Sequence, residues 1–226
     1  MKTLIGILGL KGSGKDTAAE MLTGCGFTRM AFADALYAEA SRSYEVTPHF
    51  LARRDTKETS LERLALKHCL DANFVGLFTM QQARGQYLTV GDVLDMPRSP
   101  RWVLQQWGTE YRRKSRWGRE EYWVDPVMRR IDAKRKGSRV VLTDVREPIE
   151  VRAIRARGGL LVRIRRRKVE EEDAQAVRAG CASSLHSSET LARACAVDFE
   201  VQNVEGEPQA MRDALEAYLA RLKPAA

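Results

Sequence analysis

Apolar residues along the 226-residue chain fall into short dense runs separated by longer stretches with helical spacing. The run Leu4-Ile5-Gly6-Ile7-Leu8 has no polar face and is too short for a core helix, which predicts a buried strand over 3–8. The stretch around Ala18-Ala19-Glu20-Met21-Leu22 predicts a helix over 15–23, stopped by Gly24 and Gly26, with a short second strand at 27–31. Residues 33–43 are alanine-rich and helix-like, and 61–70 place apolar residues at helical spacing. Between 72 and 100 no period stands out. Gly76, Gly85, Gly91, Pro97 and Pro100 there predict loops or a short hairpin. A helix is expected over 101–113, interrupted at Gly108, and another over 120–136, kinked or split by Pro126 and ended by Gly137. Strands at 139–143, 160–164 and 197–203 then alternate with helices at 149–157, 170–179 and 208–222. This alternation implies an α/β fold with a central parallel sheet and ligand sites at the carboxyl ends of its strands.

The sharpest local pattern joins the first strand to the first helix. Gly9-Leu10-Lys11-Gly12-Ser13-Gly14-Lys15 has G-x-x-x-x-G-K spacing in a strand–loop–helix context, the setting in which that spacing binds phosphate. Glycines allow successive backbone N–H groups to converge on one anion. The helix N-terminus adds positive potential, and Lys15 adds a full charge at the β/γ phosphates. A nucleoside triphosphate is the ligand this implies. Where such loops carry Ser or Thr as a Mg²⁺ ligand, this chain has Asp16 followed by Thr17. Three readings stay open: Asp16 holds the metal directly or through water, Thr17 supplies the hydroxyl, or Asp16 caps the helix.

Composition narrows the class without naming it. Hydrophobic content of 44% suits a chain with a real core, and the length suits one α/β domain with insertions, or at most two small domains. No apolar run reaches transmembrane length, and the one after Lys2 is short for a signal peptide. Cys25, Cys69, Cys181 and Cys195 are widely spaced, which reads as reduced thiols in a cytoplasmic protein. The three histidines are too scattered for a metal centre. The net charge of +8 comes from dispersed arginines rather than a tail or an aromatic-interleaved stripe. It therefore points to small-molecule phosphates ahead of nucleic acid. A homodimer is left open.

Three further groupings carry candidate chemistry. Val140-Val141-Leu142-Thr143-Asp144 is a strand ending in a carboxylate, suited to Mg²⁺ or its water beside a phosphate loop. Arg146 and Glu150 add two more charges near the same rim, and Pro148 and Glu150 also read as a plain helix start. On an unbroken helix Arg101, Gln105, Gly108 and Arg112 share a narrow sector, suited to a nucleotide acceptor. The same residues also fit a solvated face opposite buried Leu104, Trp107 and Tyr111. Arg163, Arg165, Arg166 and Arg167 follow the fourth strand, with Arg178 beyond. They read as a mobile flap over a triphosphate or as a solvated cationic turn.

Taken together, these stretches resemble the deoxynucleoside monophosphate kinases of bacteriophages and some bacteria. The resemblance rests on Gly9 to Thr17, Phe32-Ala33-Asp34-Ala35-Leu36, Leu104-Gln105-Gln106-Trp107-Gly108-Thr109-Glu110, Tyr122-Trp123-Val124, Asp144-Val145-Arg146, His186-Ser187-Ser188-Glu189 and Asn203, in the family's order. Asp at position 16 is itself typical of that group. The resemblance implies a P-loop NTPase three-layer sandwich of nucleotide-kinase type, with core segments 1–32, 137–165 and 195–226. It also implies an acceptor-binding insertion over about 33–136 and a lid over about 166–194. It places ATP and Mg²⁺ on the P-loop, with Asp16, Thr17 and Asp144 toward the metal. Asp34, Arg101, Gln105 and Arg146 would bind the acceptor, and Arg166 would belong to the lid. The arginine after the G-T-E triplet falls on Arg113, whereas an unbroken helix favours Arg112. Glu147 stands where the family has an aromatic residue, and 72–100 has no match. The reaction implied is phosphorylation of a (deoxy)nucleoside monophosphate. Alternatives are a related small-molecule kinase, for dephospho-coenzyme A or phosphomevalonate, a nucleic-acid-binding P-loop ATPase, or a nucleotide sensor without turnover.

Overall fold

The computed structural model describes residues 3–85, 88–115, 118–180 and 187–222. Five parallel strands form its sheet in the order β2-β3-β1-β4-β5. They are β1 (Thr3–Leu8), β2 (Thr28–Met30), β3 (Arg139–Leu142), β4 (Leu160–Arg165) and β5 (Phe199–Gln202). In β1 Leu4, Ile5, Ile7 and Leu8 are all buried, as expected of a central parallel strand covered on both faces. On one face α1 (Lys15–Gly24) and the C-terminal helix (Pro208–Arg221) pack Ala18, Ala19, Met21, Leu22, Met211, Leu215 and Leu219 against Ile5, Ile7, Val141, Val162, Ile164 and Val201. On the other face lies the helix Pro148–Arg155. A Cβ at Gly6 would come within 2.7 Å of its Ile154. Helix, sheet and helix make a three-layer α/β sandwich, with β1 at the point where the strand order reverses.

The chain divides into two compact units, Met1–Phe32 with Val127–Ala226, and Ala33–Pro126. The first holds the sheet. The second is helical: α2 (Ala33–Ser43), α3 (Pro48–Ala52), α4 (Ala72–Gly85), α5 (Val90–Asp95) and α6 (Pro100–Gln105). Its core gathers Tyr44, Leu51, Leu64, Leu66, Phe74, Phe78, Val93, Val103, Trp107 and Trp123. The helix α7 (Val124–Asp132) carries the chain from this unit back to the sheet. Residues from Val127 onward, read above with the insertion, belong to the sheet unit. The remaining helices are α8 (Pro148–Arg155), α9 (Arg167–Arg178), α10 (Ser187–Ala194) and α11 (Pro208–Arg221).

The structure departs from four of these expectations. Residues 72–100 are mainly helical, not looped: Phe74 and Phe78 sit one turn apart on α4 and are buried together. Thr89 and Asp92 form a reciprocal capping box that starts α5. Residues 61–70 form no α-helix but two 3₁₀ turns, Glu62–Leu64 and Leu66–His68, separated by Ala65 in an extended conformation. Pro126 neither kinks nor splits a helix, because α7 begins at Val124 and a first-turn proline loses no intrahelical hydrogen bond. The expected break at Gly108 is instead a π-helical stretch, Gln106–Tyr111, continuing from α6.

Candidate functional site

The loop between β1 and α1 turns on Gly9, Gly12 and Gly14, all at positive φ, and Gly14 is the left-handed N-cap of α1. Gly14 makes no side-chain cap, and Asp16 is the acidic residue of the first turn, so Asp16 favours the helix dipole without capping it. Lys15 opens α1, and its Nζ donates to Gly9 O at 2.7 Å and Leu10 O at 2.8 Å. The ammonium is thereby folded into the loop. Burial lowers the Lys15 pKa from its ordinary value. Arg146 lowers it further, against the opposing pull of Glu189 and Asp16. Lys15 is therefore a desolvated positive charge beside a second cation, conditions that favour an anionic ligand.

The loop leans on the sheet's carboxyl edge. A Cβ at Gly9 would lie 2.5 Å from both Ile164 O and Ser13 Oγ. Ser13 is buried. A cavity of about 470 Å³ adjoins the loop, lined by Gly9, Leu10, Ser13, the end of β4 and the faces of α9 and α10.

Asp144 follows β3, the neighbour of β1, and its Oδ1 accepts the Phe32 N–H at 2.8 Å. Asp16 pairs with Arg29 on β2 at 3.0 Å, both side chains about half exposed or more. Thr17 is exposed. Among the described residues no three acidic, His or Cys side chains converge as a preformed metal cage. Mg²⁺ with phosphate and water ligands needs only one or two carboxylates. The hard oxygen donors Asp16, Thr17 and Asp144 beside a phosphate-type loop are of the right chemistry for it. Arg146 is exposed, and its backbone is fixed from below. The buried Glu150 carboxylate accepts the Arg146 N–H at 2.7 Å and the Glu147 N–H at 3.0 Å.

The arginine-rich segment is rearranged relative to expectation. Arg163 and Arg165 do not follow β4 as a turn; they lie within it, paired with Glu200 of the neighbouring β5. Arg165 also pairs with Glu170 at 2.6 Å, Arg166 with Glu205 at 2.8 Å and Arg167 with Glu171 at 2.8 Å. Arg166 remains at the cavity wall. His186 and Cys181 lie outside the described residues.

In the helical unit, Asp34, Arg101 and Gln105 are exposed, and Arg101 pairs with Glu58. They do not share a face with Gly108 and Arg112. The π stretch bonds Arg112 N to Trp107 O and Lys114 N to Thr109 O, five residues back, which changes the angular step per residue. Gly108 is buried, with Leu36 3.1 Å from the place of a Cβ, and its carbonyl accepts Trp123 Nε1 at 2.9 Å. Arg112 turns to Glu39 and Asp71 and lies 4.2 Å from the Tyr111 ring centroid. Tyr122 Oη donates to the same Glu39 at 3.0 Å, and Tyr111 Oη to Asp71 at 2.9 Å. Arg112 is thus a structural centre of this unit, and half-buried Arg113 is the other arginine after the G-T-E triplet.

No protein-family model matches the chain, and no curated protein sequence matches it at a significant level. Among solved structures, it is similar to the crystal structure of TT1252 from Thermus thermophilus at 19% identity. That match covers 98% of each chain with a TM-score of 0.43. A likeness of this degree assigns no activity.

Two positions had no distinctive local signal. Asn203, quoted above only within the resemblance, donates from Nδ2 to Ser13 O at 2.8 Å across 190 residues of sequence. Arg29, in an otherwise ordinary edge strand, meets Asp16. Neither contact leaves a spacing that a sequence can show.

Proposed function

We propose that the chain is an ATP- and Mg²⁺-dependent kinase that phosphorylates a (deoxy)nucleoside 5′-monophosphate. The observation that carries this reading is the loop after β1. It combines positive-φ glycines, an N-terminal helix turn and a desolvated Lys15 ammonium at the carboxyl edge of a parallel sheet. The adjoining cavity leaves room for more than a phosphate. In the reaction an acceptor phosphate oxygen attacks the γ-phosphorus while the bond to the β–γ bridging oxygen breaks, leaving ADP. The acceptor is already an anion, so no strong general base is needed. Positioning and charge neutralisation supply the acceleration. Lys15 and the loop N–H groups hold the donor, and Arg146 and Arg166 are assigned to the transferred group. Asp34, Arg101, Gln105 and Arg113 are assigned to the acceptor. Asp16, Thr17 and Asp144 would hold Mg²⁺, which when bound neutralises charge on the phosphates.

The test is ATP consumption with Mg²⁺ against dGMP, dTMP, dCMP, dAMP and the ribonucleotides, with diphosphates identified directly. Diphosphate from at least one acceptor is the expected result. ATP binding without any diphosphate product would overturn the acceptor assignment.

A pH dependence follows from Lys15. Its folded pKa lies below the ordinary lysine value, so the folded protein releases this proton first as pH rises. Between the folded and unfolded values the unfolded chain binds more protons, and stability rises with pH across that window. Triphosphate binding runs the other way, because it requires the charged form. Affinity for ATP is expected to be flat near neutrality and to fall with rising pH before the ordinary lysine range is reached. Calorimetric titration from pH 7 to 10 reads this directly. The Lys15→Met protein should lack the alkaline fall.

A further inference from the structure

Asn203 reaches the phosphate loop from the far end of β5. Asn203 stands just past β5, and its backbone N–H is tied to Arg165 O at 2.7 Å, which fixes the residue against β4. Its Nδ2 then donates to Ser13 O at 2.8 Å. The contact is close because the loop offers no side chain there: a Cβ at Gly14 would lie 2.3 Å from Asn203 Nδ2. Gly14 is also at φ 100°, so the absence of a Cβ is required twice, by the backbone and by the asparagine. The Ser13 carbonyl and the Gly14 N–H belong to one planar peptide. In a trans peptide the N–H points opposite to the C=O, so holding the Ser13 carbonyl toward Asn203 keeps the Gly14 N–H turned away from it.

We propose that Asn203 is a positioning residue for the polyphosphate site. Its amide locks the Ser13–Gly14 peptide so that the loop N–H groups are set before the ligand arrives. The inference rests on the reading of Gly9 to Thr17 as the donor phosphate site. Fixed donors lose no reorganisation energy on binding, so releasing the peptide weakens the polyphosphate contact itself and leaves the rest of the nucleotide alone. An isosteric carboxylate at 203 would place an oxygen against the Ser13 carbonyl and force the peptide away.

The experiment measures binding of inorganic tripolyphosphate and of ATP, by titration calorimetry, to the wild-type, Asn203→Ala, Asn203→Asp and Lys15→Ala proteins. Hydrogen exchange is followed on the ligand-free forms. Asn203→Ala is expected to weaken tripolyphosphate and ATP by the same factor, about tenfold, and Asn203→Asp by more. Exchange should rise in the peptide covering 9–15 while the β4 and β5 peptides keep their protection. A merely structural role would instead loosen β5 and leave both affinities at their wild-type values in protein that remains folded. Asn203 variants that bind tripolyphosphate as tightly as wild type would overturn the inference. Wild-type protein that binds no tripolyphosphate, or binds it equally well after Lys15→Ala, would overturn the donor-site reading and this inference with it. Wild-type binding that is lost with Lys15→Ala but kept with Asn203→Ala and Asn203→Asp would overturn the inference alone.

Discussion

Lys15→Ala is expected to lower kcat/KM for phosphoryl transfer by at least roughly 10²–10³-fold while the protein stays folded. The ammonium is one of the charges closest to the loop's interior, held by two loop carbonyls at 2.7 and 2.8 Å. In the transition state of phosphoryl transfer, charge spreads over the equatorial oxygens, and a preset cation in a partly dry site neutralises it without solvent reorganisation. Folding should suffer little. The lowered pKa of Lys15 means that burial opposes its charge in the folded state, and alanine removes that penalty along with the hydrogen bonds. Steady-state kinetics with the best acceptor, paired with thermal unfolding, separates the two effects. Near-normal turnover in a folded Lys15→Ala protein would sink the proposed mechanism.

The parts of the molecule that could be read from the chain are those in which local signals and burial agree. β1 is an unbroken apolar run because a central parallel strand is covered on both sides, and the glycine loop and α1 follow it without any distant partner. The apolar runs Val140 to Leu142 and Leu160 to Val162 likewise mark β3 and β4, although Arg163 and Arg165 interrupt the second. Elsewhere tertiary packing decided the structure. In α4, Gly76 and Gly85 lower helix propensity, and the helix is held by Phe74 and Phe78 against Trp102. At 61–70 the apolar spacing is helical, yet extended Ala65 divides it into two 3₁₀ turns, and no residue there announces the break.

The candidate site divides in the same way. Gly9 to Lys15 and Asp144 are carried by local spacing. Arginine roles were far less legible, because an arginine is defined by its acid. Arg112 meets Glu39 across 73 residues of sequence, and Arg163 meets Glu200 across 37. The π stretch compounds the problem, since a face computed at a constant 100° per residue fails wherever the hydrogen bonding lengthens to five residues.

That same stretch places Trp107 in the core of the helical unit. Its side chain is 0% exposed and packs 4.5 Å from the Phe74 ring and 5.5 Å, edge to face, from Tyr111. Arg112 lies 5.7 Å from the Trp107 ring centroid. Trp107→Ala is expected to cost about 3–5 kcal/mol, the range for large aromatic truncations that leave a cavity. The loss comes from apolar burial and from the aromatic contacts, and not from a hydrogen bond, because Trp107 Nε1 has no partner among the described residues. Trp107→Phe should therefore cost much less: it keeps a ring against Phe74 and removes a buried donor whose desolvation is unrepaid. Urea unfolding of the three proteins measures the difference. A Trp107→Ala protein within about 1 kcal/mol of wild type would contradict the packing. A Trp107→Phe protein as unstable as Trp107→Ala would contradict the assignment of the loss to the ring retained against Phe74.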